Sequence, residues 1–193
     1  MKYLSVCFGI EAATVAWHGM GWEPVAFSEI ESFPCAVLKH HYPHVPNLGD
    51  MTKYNEWQLN EPIDLLAGGT PCQGFSLAGL REGLDDPRSQ LSLTYVEIAA
   101  RFRPRWVVWE NVPGVLTSGG GRDFAEILAC LTGRKVSVPE GGWQNSGVVE
   151  GIEEAYGVAW VVRDAQYFGV PQRRRRVFPA RSGSAGGSRW SRK

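Results

Sequence analysis

Short apolar, β-prone runs alternate with helical runs along most of this chain, and this order constrains its fold more than any other feature. The strand-like runs are residues 3–8, 24–27, 63–67, 105–110 and 157–165, and the helical runs are 11–20, 33–41, 91–102 and 123–131. Strands that alternate with helices are typical of a parallel sheet covered on both faces. The sequence therefore predicts an α/β fold with a mainly parallel sheet and helices on both faces.

The 193 residues suit a single domain with its own core. We predict that residues 1–178 fold as one domain, with a Gly-, Pro-, Asn- and Ser-rich loop or insertion at about 133–151. Residues 179–193 are rich in Gly, Ser and Arg without periodicity, which predicts a disordered tail.

Cellular location is indicated by what the sequence lacks. No apolar run approaches the ~20 residues that span a bilayer, and the first residues do not have the layout of a signal peptide. The four cysteines (Cys7, Cys35, Cys72 and Cys130) stand at neither metal-ligand nor disulfide-framework spacing. These features favour a cytoplasmic protein with reduced thiols and no bound metal.

The net charge of zero hides an uneven distribution. Of the 20 basic and 20 acidic residues, nine basic residues but a single acidic one, Asp164, lie in residues 163–193. A basic end on an acidic body is a candidate surface for nucleic acid, although a solvated basic tail would have the same composition.

Three groups of residues are candidates for a catalytic or binding role. Cys72 follows Pro71 among glycines just after the strand-like run 63–67, where catalytic groups of open α/β sheets lie. A lone cysteine is also commonly an inert core residue. Glu110 ends the run 105–110 and fits either an active-site acid or a helix cap. The basic run 173–176 suits phosphate or base contacts, or simply solvent.

Taken together, these motifs resemble the conserved blocks of the DNA (cytosine-5) methyltransferases of phage or prophage type. The matching stretches are residues 67–76 around Pro71-Cys72-Gln73, Glu110-Asn111-Val112 and residues 172–176. The first half adds Ser5-Val6-Cys7-Phe8-Gly9, Glu29 and Gly49-Asp50-Met51. The resemblance covers residues 3–178 and implies a Rossmann-like methyltransferase fold that uses S-adenosyl-L-methionine.

The resemblance also implies roles for individual residues. Cys72 would add to C6 of cytosine, Glu110 would bond N3, and Arg174 and Arg176 would contact the base. The residues implied at the cofactor are Cys7, Phe8, Gly9, Glu29, Ile30, Asp50, Met51 and Pro71. Residues 74–89 would form a lid over the DNA.

The implied substrate is double-stranded DNA with the target cytosine flipped out of the stack. We expect a monomer in the cytoplasm of a bacterial host cell, encoded by a phage or prophage. Two alternatives remain: an RNA cytosine-5 methyltransferase, which shares Pro-Cys-Gln and Glu-Asn-Val, and an inactive remnant that binds nucleic acid through residues 173–176.

The chain departs from the family pattern at two places. Glu11 stands where a second glycine of the first loop is expected. After residue 178 we find neither a target-recognition region nor a closing helix. We therefore expect a truncated chain with weak cofactor binding and weak activity.

Overall fold

The structure, a computed structural model, describes residues 1–71, 87–152 and 157–182, with only the backbone of residues 87–90. Its strands are β1 (Lys2–Val6), β2 (Glu23–Ser28), β3 (Leu65–Gly68), β4 (Trp106–Trp109), β5 (Ser146–Val149), β6 (Gly157–Asp164) and β7 (Arg175–Ser182). Its α-helices are α1 (Ala12–His18), α2 (Ser32–His41), α3 (Pro87–Phe102) and α4 (Arg122–Thr132). Short 3-10 turns cover Met51–Glu56, Pro113–Leu116, Ser118–Gly121 and Ala165–Phe168.

The seven strands form one sheet in the order β2-β1-β3-β4-β7-β6-β5. The first four strands pair in parallel, as the alternation of strands and helices predicts. The other three pairings, β4–β7, β7–β6 and β6–β5, are antiparallel.

Both faces of the sheet are covered around β1. The Tyr3 hydroxyl donates a 2.8 Å hydrogen bond to Thr14 of α1, on one face. Leu4 and Val6 point to the other face, where they join the main core with Ile98 of α3 and other buried side chains. Residues 3–6 are completely buried, as expected for a central parallel strand. The predicted α/β fold with helices on both faces is confirmed.

The antiparallel half of the sheet is the main difference from the sequence prediction. Residues 165–174 connect β6 to β7, whereas a parallel crossover needs roughly a dozen or more residues and usually a helix. The hairpin is closed by the Ala165 amide, which donates to the Arg174 carbonyl at 3.0 Å. The short connection therefore makes β6 and β7 antiparallel, and β7 lies between β6 and β4.

Two predicted boundaries need correction. The predicted tail at 179–193 begins too early, because β7 continues through Ser182 and buries Val177, Pro179 and Arg181 at alternate positions. Burial of every second side chain is the pattern of a half-covered strand. Residues 183–193 lie outside the described part of the chain.

The predicted loop at 133–151 contains strand β5, which pairs with β6.

In the described part of the chain, no strand precedes Asp50 after β2. Asn47 makes only an isolated parallel bridge with Phe27. The Pro46 carbonyl and the Leu48 amide each bond Phe27, at 2.9 and 2.8 Å. Pro46 has no N–H to donate to Val25, so the ladder cannot extend in that direction. In the other direction, the Glu29 amide bonds the Asn47 side chain at 3.0 Å instead of a backbone carbonyl. Among the residues that the structure describes, no helix is both long and apolar enough to span a bilayer.

Candidate active site

A cavity of about 800 Å³ lies beyond the carboxyl ends of β1, β3 and β4. It is lined by several of the residues singled out in the sequence, together with parts of α1 and the β6–β7 hairpin. The predicted site residues among them are Cys7, Phe8, Glu110, Arg174 and Arg176. Because β7 runs antiparallel to β4, its first residues meet the carboxyl end of β4. The arginines therefore reach the same edge of the sheet as Glu110.

Glu110 is held at the centre of this edge. Its amide donates to the Gly68 carbonyl at 2.7 Å, which continues the β3–β4 pairing by one residue. Its Oε1 lies 2.7 Å from Nε of Arg176 and 4.0 Å from Nη2 of Arg174. The Glu110 and Arg176 side chains are 20% and 22% exposed, and that of Arg174 is 52% exposed. A charge-assisted hydrogen bond of this length fixes the direction of the carboxylate.

The structure does not use Glu110 as a helix cap. The next helical turn, Pro113–Leu116, has Val112 at its N-cap, with no side-chain capping hydrogen bond. The second oxygen of Glu110 instead faces β3, since a methyl group built on Gly69 would lie 3.2 Å from Oε2. The carboxylate therefore stands beside the backbone that leads to Pro71.

Asn111 is a site residue that the sequence analysis did not single out. It is 3% exposed, and its side-chain amide donates to the Thr70 carbonyl at 3.0 Å. Its backbone exchanges hydrogen bonds of 3.0 and 2.9 Å with Val177 of β7. Asn111 thus connects the segment before Pro71 to the strand that carries the arginines. A polar amide directly after a buried strand end is the sequence signal that could have identified it.

Thr70 is fixed by further buried contacts. Its hydroxyl accepts a 2.8 Å hydrogen bond from the Trp109 indole and lies 2.8 Å from the Ser92 hydroxyl of α3. Pro71, the next residue, is exposed and is the last one described before a gap. Cys72 lies outside the described residues, as do residues 74–86 of the predicted lid. Residues 87–89 of that predicted lid belong to α3.

The β1–α1 loop, residues 7–11, contributes Cys7 and Phe8 to the wall of the cavity. The Cys7 amide donates to the Ser28 carbonyl at 2.9 Å, and the Cys7 thiol lies 3.4 Å from the Met51 sulfur. Burial, with a smaller effect of Glu29 and Asp50, raises the pKa of Cys7 to about 12. Cys7 is therefore a neutral thiol at ordinary pH, unsuited to act as a nucleophile.

Glu29 and Asp50 stand on the far side of this loop and do not line the cavity. Oε2 of Glu29 accepts from the Gly9 amide at 3.1 Å, and its Oε1 accepts from the amides of Ile30 and Glu31. Asp50 accepts two hydrogen bonds from Thr52, whose amide and hydroxyl lower the pKa of its carboxyl. Both groups are thus acceptors held next to the β1–α1 loop.

The remaining predicted cofactor residues differ in exposure. Met51 is buried against Cys7, whereas Ile30 is 68% exposed. Two carboxylates beside a loop at the end of the first strand fit a ligand with hydroxyl and amine donors. The cavity also has the volume of a small-molecule site. The residues present therefore fit a nucleoside-containing cofactor.

Comparison with known proteins identifies the family of this chain. The family model of the C-5 cytosine-specific DNA methylases matches residues 1–133. The chain belongs to this family. The methyl donor expected for a member is S-adenosyl-L-methionine.

Two relatives illustrate the range of similarity. A protein of Escherichia phage P1, named DNA N-6-adenine-methyltransferase, is 46% identical in an alignment of 211 positions that covers 91% of this chain and 28% of the relative. The type II methyltransferase M.AquIA of Picosynechococcus is 32% identical over 92% of this chain and 70% of its own length. The chain thus spans under a third of the phage P1 protein, whose name describes that whole protein.

Solved structures show the same fold. The structure titled a putative DNA modification methyltransferase encoded within an Escherichia coli prophage matches 96% of this chain and 47% of its own chain, with a TM-score of 0.68 and 18% identity. The Dnmt2 methyltransferase of S. pombe matches 97% of this chain and 52% of its own, with a TM-score of 0.67 and 16% identity. The Rossmann-like methyltransferase fold implied by the motifs is therefore confirmed.

Proposed function

We propose that this chain carries the catalytic groups of a DNA cytosine-5 methyltransferase, which acts through a covalent bond between Cys72 and C6 of cytosine. The observation that carries the proposal is the Glu110–Arg176 pair, at 2.7 Å, beside the β3 backbone that leads to Pro71 and Cys72. Family membership supports the same chemistry. A reactive cysteine and a carboxylic acid are the two groups that methylation at C5 requires from the protein.

The proposed reaction begins with the Cys72 thiolate, which adds to C6 of a cytosine flipped out of double-stranded DNA. Glu110 bonds N3 and passes to it a proton, which the carboxylate takes up from solvent before this step, as electron density moves to C5. S-adenosyl-L-methionine, when bound, supplies the methyl group that C5 acquires. Loss of the C5 proton to a water molecule then expels the Cys72 thiolate and restores the ring, and the proton on N3 returns to the Glu110 carboxylate.

Other residues position the base and the cofactor. Arg176 orients the Glu110 carboxyl, and Arg174, which is half exposed, is available to a base oxygen or a phosphate. The residues proposed to surround the cofactor are Cys7, Phe8, Gly9, Glu29, Ile30, Asp50, Met51 and Pro71. The function proposed here is that of a monomer in the cytoplasm of a bacterial host cell.

The mechanism is tested with duplex DNA that contains 5-fluorocytosine, in which fluorine blocks the final loss from C5. The wild-type chain should form a denaturation-resistant DNA adduct in the presence of S-adenosyl-L-methionine, and Cys72→Ala should form none. Cys130→Ala, which alters an exposed thiol, is the matched control and should retain the adduct. An equal amount of adduct with Cys72→Ala would exclude Cys72 as the nucleophile.

The substrate is tested separately with a radiolabelled methyl group. Mixed-sequence DNA and total tRNA are offered in parallel, and the labelled nucleoside is identified after complete digestion. The proposal requires 5-methylcytosine in DNA. Label in tRNA would support an RNA enzyme, and label at N6 of adenine would assign this chain the activity in the name of its phage P1 relative.

A further inference from the structure

The β1–α1 loop, residues 7–11, has a backbone shape that side chains rarely adopt. Cys7, Gly9 and Glu11 have φ angles of 56°, 61° and 65°, all in the left-handed region. Glycine adopts this region readily, whereas a residue with a Cβ is disfavoured there. The family pattern has glycine at position 11. The backbone of Glu11 keeps the conformation that glycine would adopt there, although glutamate is disfavoured in it.

The Glu11 side chain makes contacts that no glycine could make. Its Oε1 accepts a 2.6 Å hydrogen bond from the Ser5 hydroxyl of β1, and its Oε2 accepts a 2.8 Å hydrogen bond from the Thr14 hydroxyl of α1. The Thr14 oxygen in turn accepts a 2.8 Å hydrogen bond from Tyr3. The carboxyl group thus connects the end of the loop to the strand before it and the helix after it.

This network is buried. Glu11 is 2% exposed, Thr14 is 5% exposed, and Tyr3 and Ser5 are fully buried. Burial raises the pKa of the Glu11 carboxyl, while the hydrogen bonds from Ser5 and Thr14 lower it. A buried carboxyl group is unfavourable unless hydrogen bonds satisfy it. The hydroxyl groups of Ser5 and Thr14 therefore offset part of the cost of burying an acid at a position whose backbone conformation is itself disfavoured.

The loop that Glu11 closes is part of the candidate site. The Glu11 amide donates to the Phe8 carbonyl at 3.2 Å, and the Val15 amide donates to the Glu11 carbonyl at 3.2 Å. Cys7 and Phe8 line the cavity. Any loosening at Glu11 would therefore move the wall that these two residues form.

We propose that Glu11 is a positioning residue, whose buried carboxyl group holds the β1–α1 loop in the shape that receives S-adenosyl-L-methionine. The inference rests on the proposed function for the identity of the ligand. Glycine at this position would permit the backbone shape without fixing it, whereas the side-chain hydrogen bonds of Glu11 hold the loop in that shape.

The test compares Glu11→Ala, Glu11→Gly and Glu11→Gln with the wild-type chain. Glu11→Ala and Glu11→Gly remove the anchor, and we expect each to raise the Kd for S-adenosyl-L-methionine by at least about tenfold, measured by isothermal titration calorimetry. Glu11→Gln keeps a hydrogen-bonding group of the same shape and should stay within about threefold of wild type. Glu56→Ala, which removes an exposed carboxylate, is the control and should bind as the wild type does.

Hydrogen exchange of the ligand-free proteins gives a readout that does not depend on the ligand. The peptide that contains residues 8–15 should exchange faster in Glu11→Ala and Glu11→Gly, with exchange in α4 unchanged. If Glu11→Ala does not fold, Ser5→Ala, which removes one hydrogen bond, should shift both readouts in the same direction by a smaller amount.

Wild-type affinity and wild-type exchange in Glu11→Gly would overturn the proposal, because the carboxyl group would then be dispensable. Loss of affinity in Glu11→Gln equal to that in Glu11→Ala would also overturn it. If the wild-type chain binds no S-adenosyl-L-methionine, the proposed function fails, whereas the exchange comparison still decides whether Glu11 holds the loop.

Discussion

The Glu110–Arg176 contact allows a quantitative test of how the candidate site is held together. The test is a double-mutant cycle with Glu110→Gln, Arg176→Gln and the double variant. A second cycle pairs Glu110→Gln with Arg174→Gln. The two arginines face the same carboxylate oxygen at 2.7 and 4.0 Å, so the second cycle is an internal control for the first.

The expected energies follow from distance and exposure. Exposed ion pairs contribute about 0.2–1 kcal/mol, whereas removal of one partner from a fully buried pair costs about 3–5 kcal/mol. The side chains of Glu110 and Arg176 are each about one-fifth exposed to solvent, which places this pair between the two limits. We expect a coupling energy of about 1–2 kcal/mol for Arg176, and less than about 0.5 kcal/mol for the half-exposed Arg174.

The assay is urea unfolding of all variants at neutral pH, followed by circular dichroism. Arg176 also donates a 2.8 Å hydrogen bond to the Arg175 carbonyl. Loss of that bond cancels in the cycle, because it occurs in both variants that lack the arginine. A coupling energy for Arg176 no larger than that for Arg174 would show that the contact does not organise the site.

Three further substitutions test the packing around the site. Gly68→Ala places a methyl group in steric overlap with the edge of the Tyr95 ring and with Val6, and should lower the free energy of unfolding by about 1–3 kcal/mol in urea titrations. Gly19→Ala, which has open space around it, should have little effect. Asn111→Ala leaves a buried carbonyl without its donor and should cost about 1–3 kcal/mol by the same measurement; an unchanged midpoint would contradict the anchoring role. The pKa of Cys7 rises from an ordinary value of 9.0 to about 12, so its contribution to the free energy of unfolding is complete below about pH 9 and decreases as the pH rises toward 12. Urea titrations at increasing alkaline pH should therefore show a smaller loss of stability in Cys7→Ala than in the wild type, and parallel curves would refute this.

Local patterns in the sequence predict the first half of this fold well. The predicted strands at 3–8, 24–27, 63–67 and 105–110 correspond to β1–β4, and the four predicted helices correspond to α1–α4, with shifts of a few residues at their ends. These elements are predictable because apolar periodicity and glycine positions are local properties of the chain. These predicted strands also indicate where the site lies, since the carboxyl ends of parallel strands share one edge of a sheet.

The second half shows the limit of local patterns. Charged residues at 173–176 obscure the strand alternation of β7, and the burial of Arg181 has no local signal. Pairing of β7 with β4 joins segments far apart in the chain, so it depends on which edge of the sheet is open. The sequence alone could not show that this strand is antiparallel.

By itself, the sequence determined the α/β class, the positions of the first four strands along the chain, the family resemblance and the candidate catalytic residues. Tertiary structure alone decided the contacts between them. It placed Arg176 rather than Arg174 on Glu110, connected Asn111 to Thr70, and bonded Glu11 to the hydroxyl groups of Ser5 and Thr14. The physical reason is that a residue's type and spacing are local, whereas its partners and its burial depend on how distant segments pack.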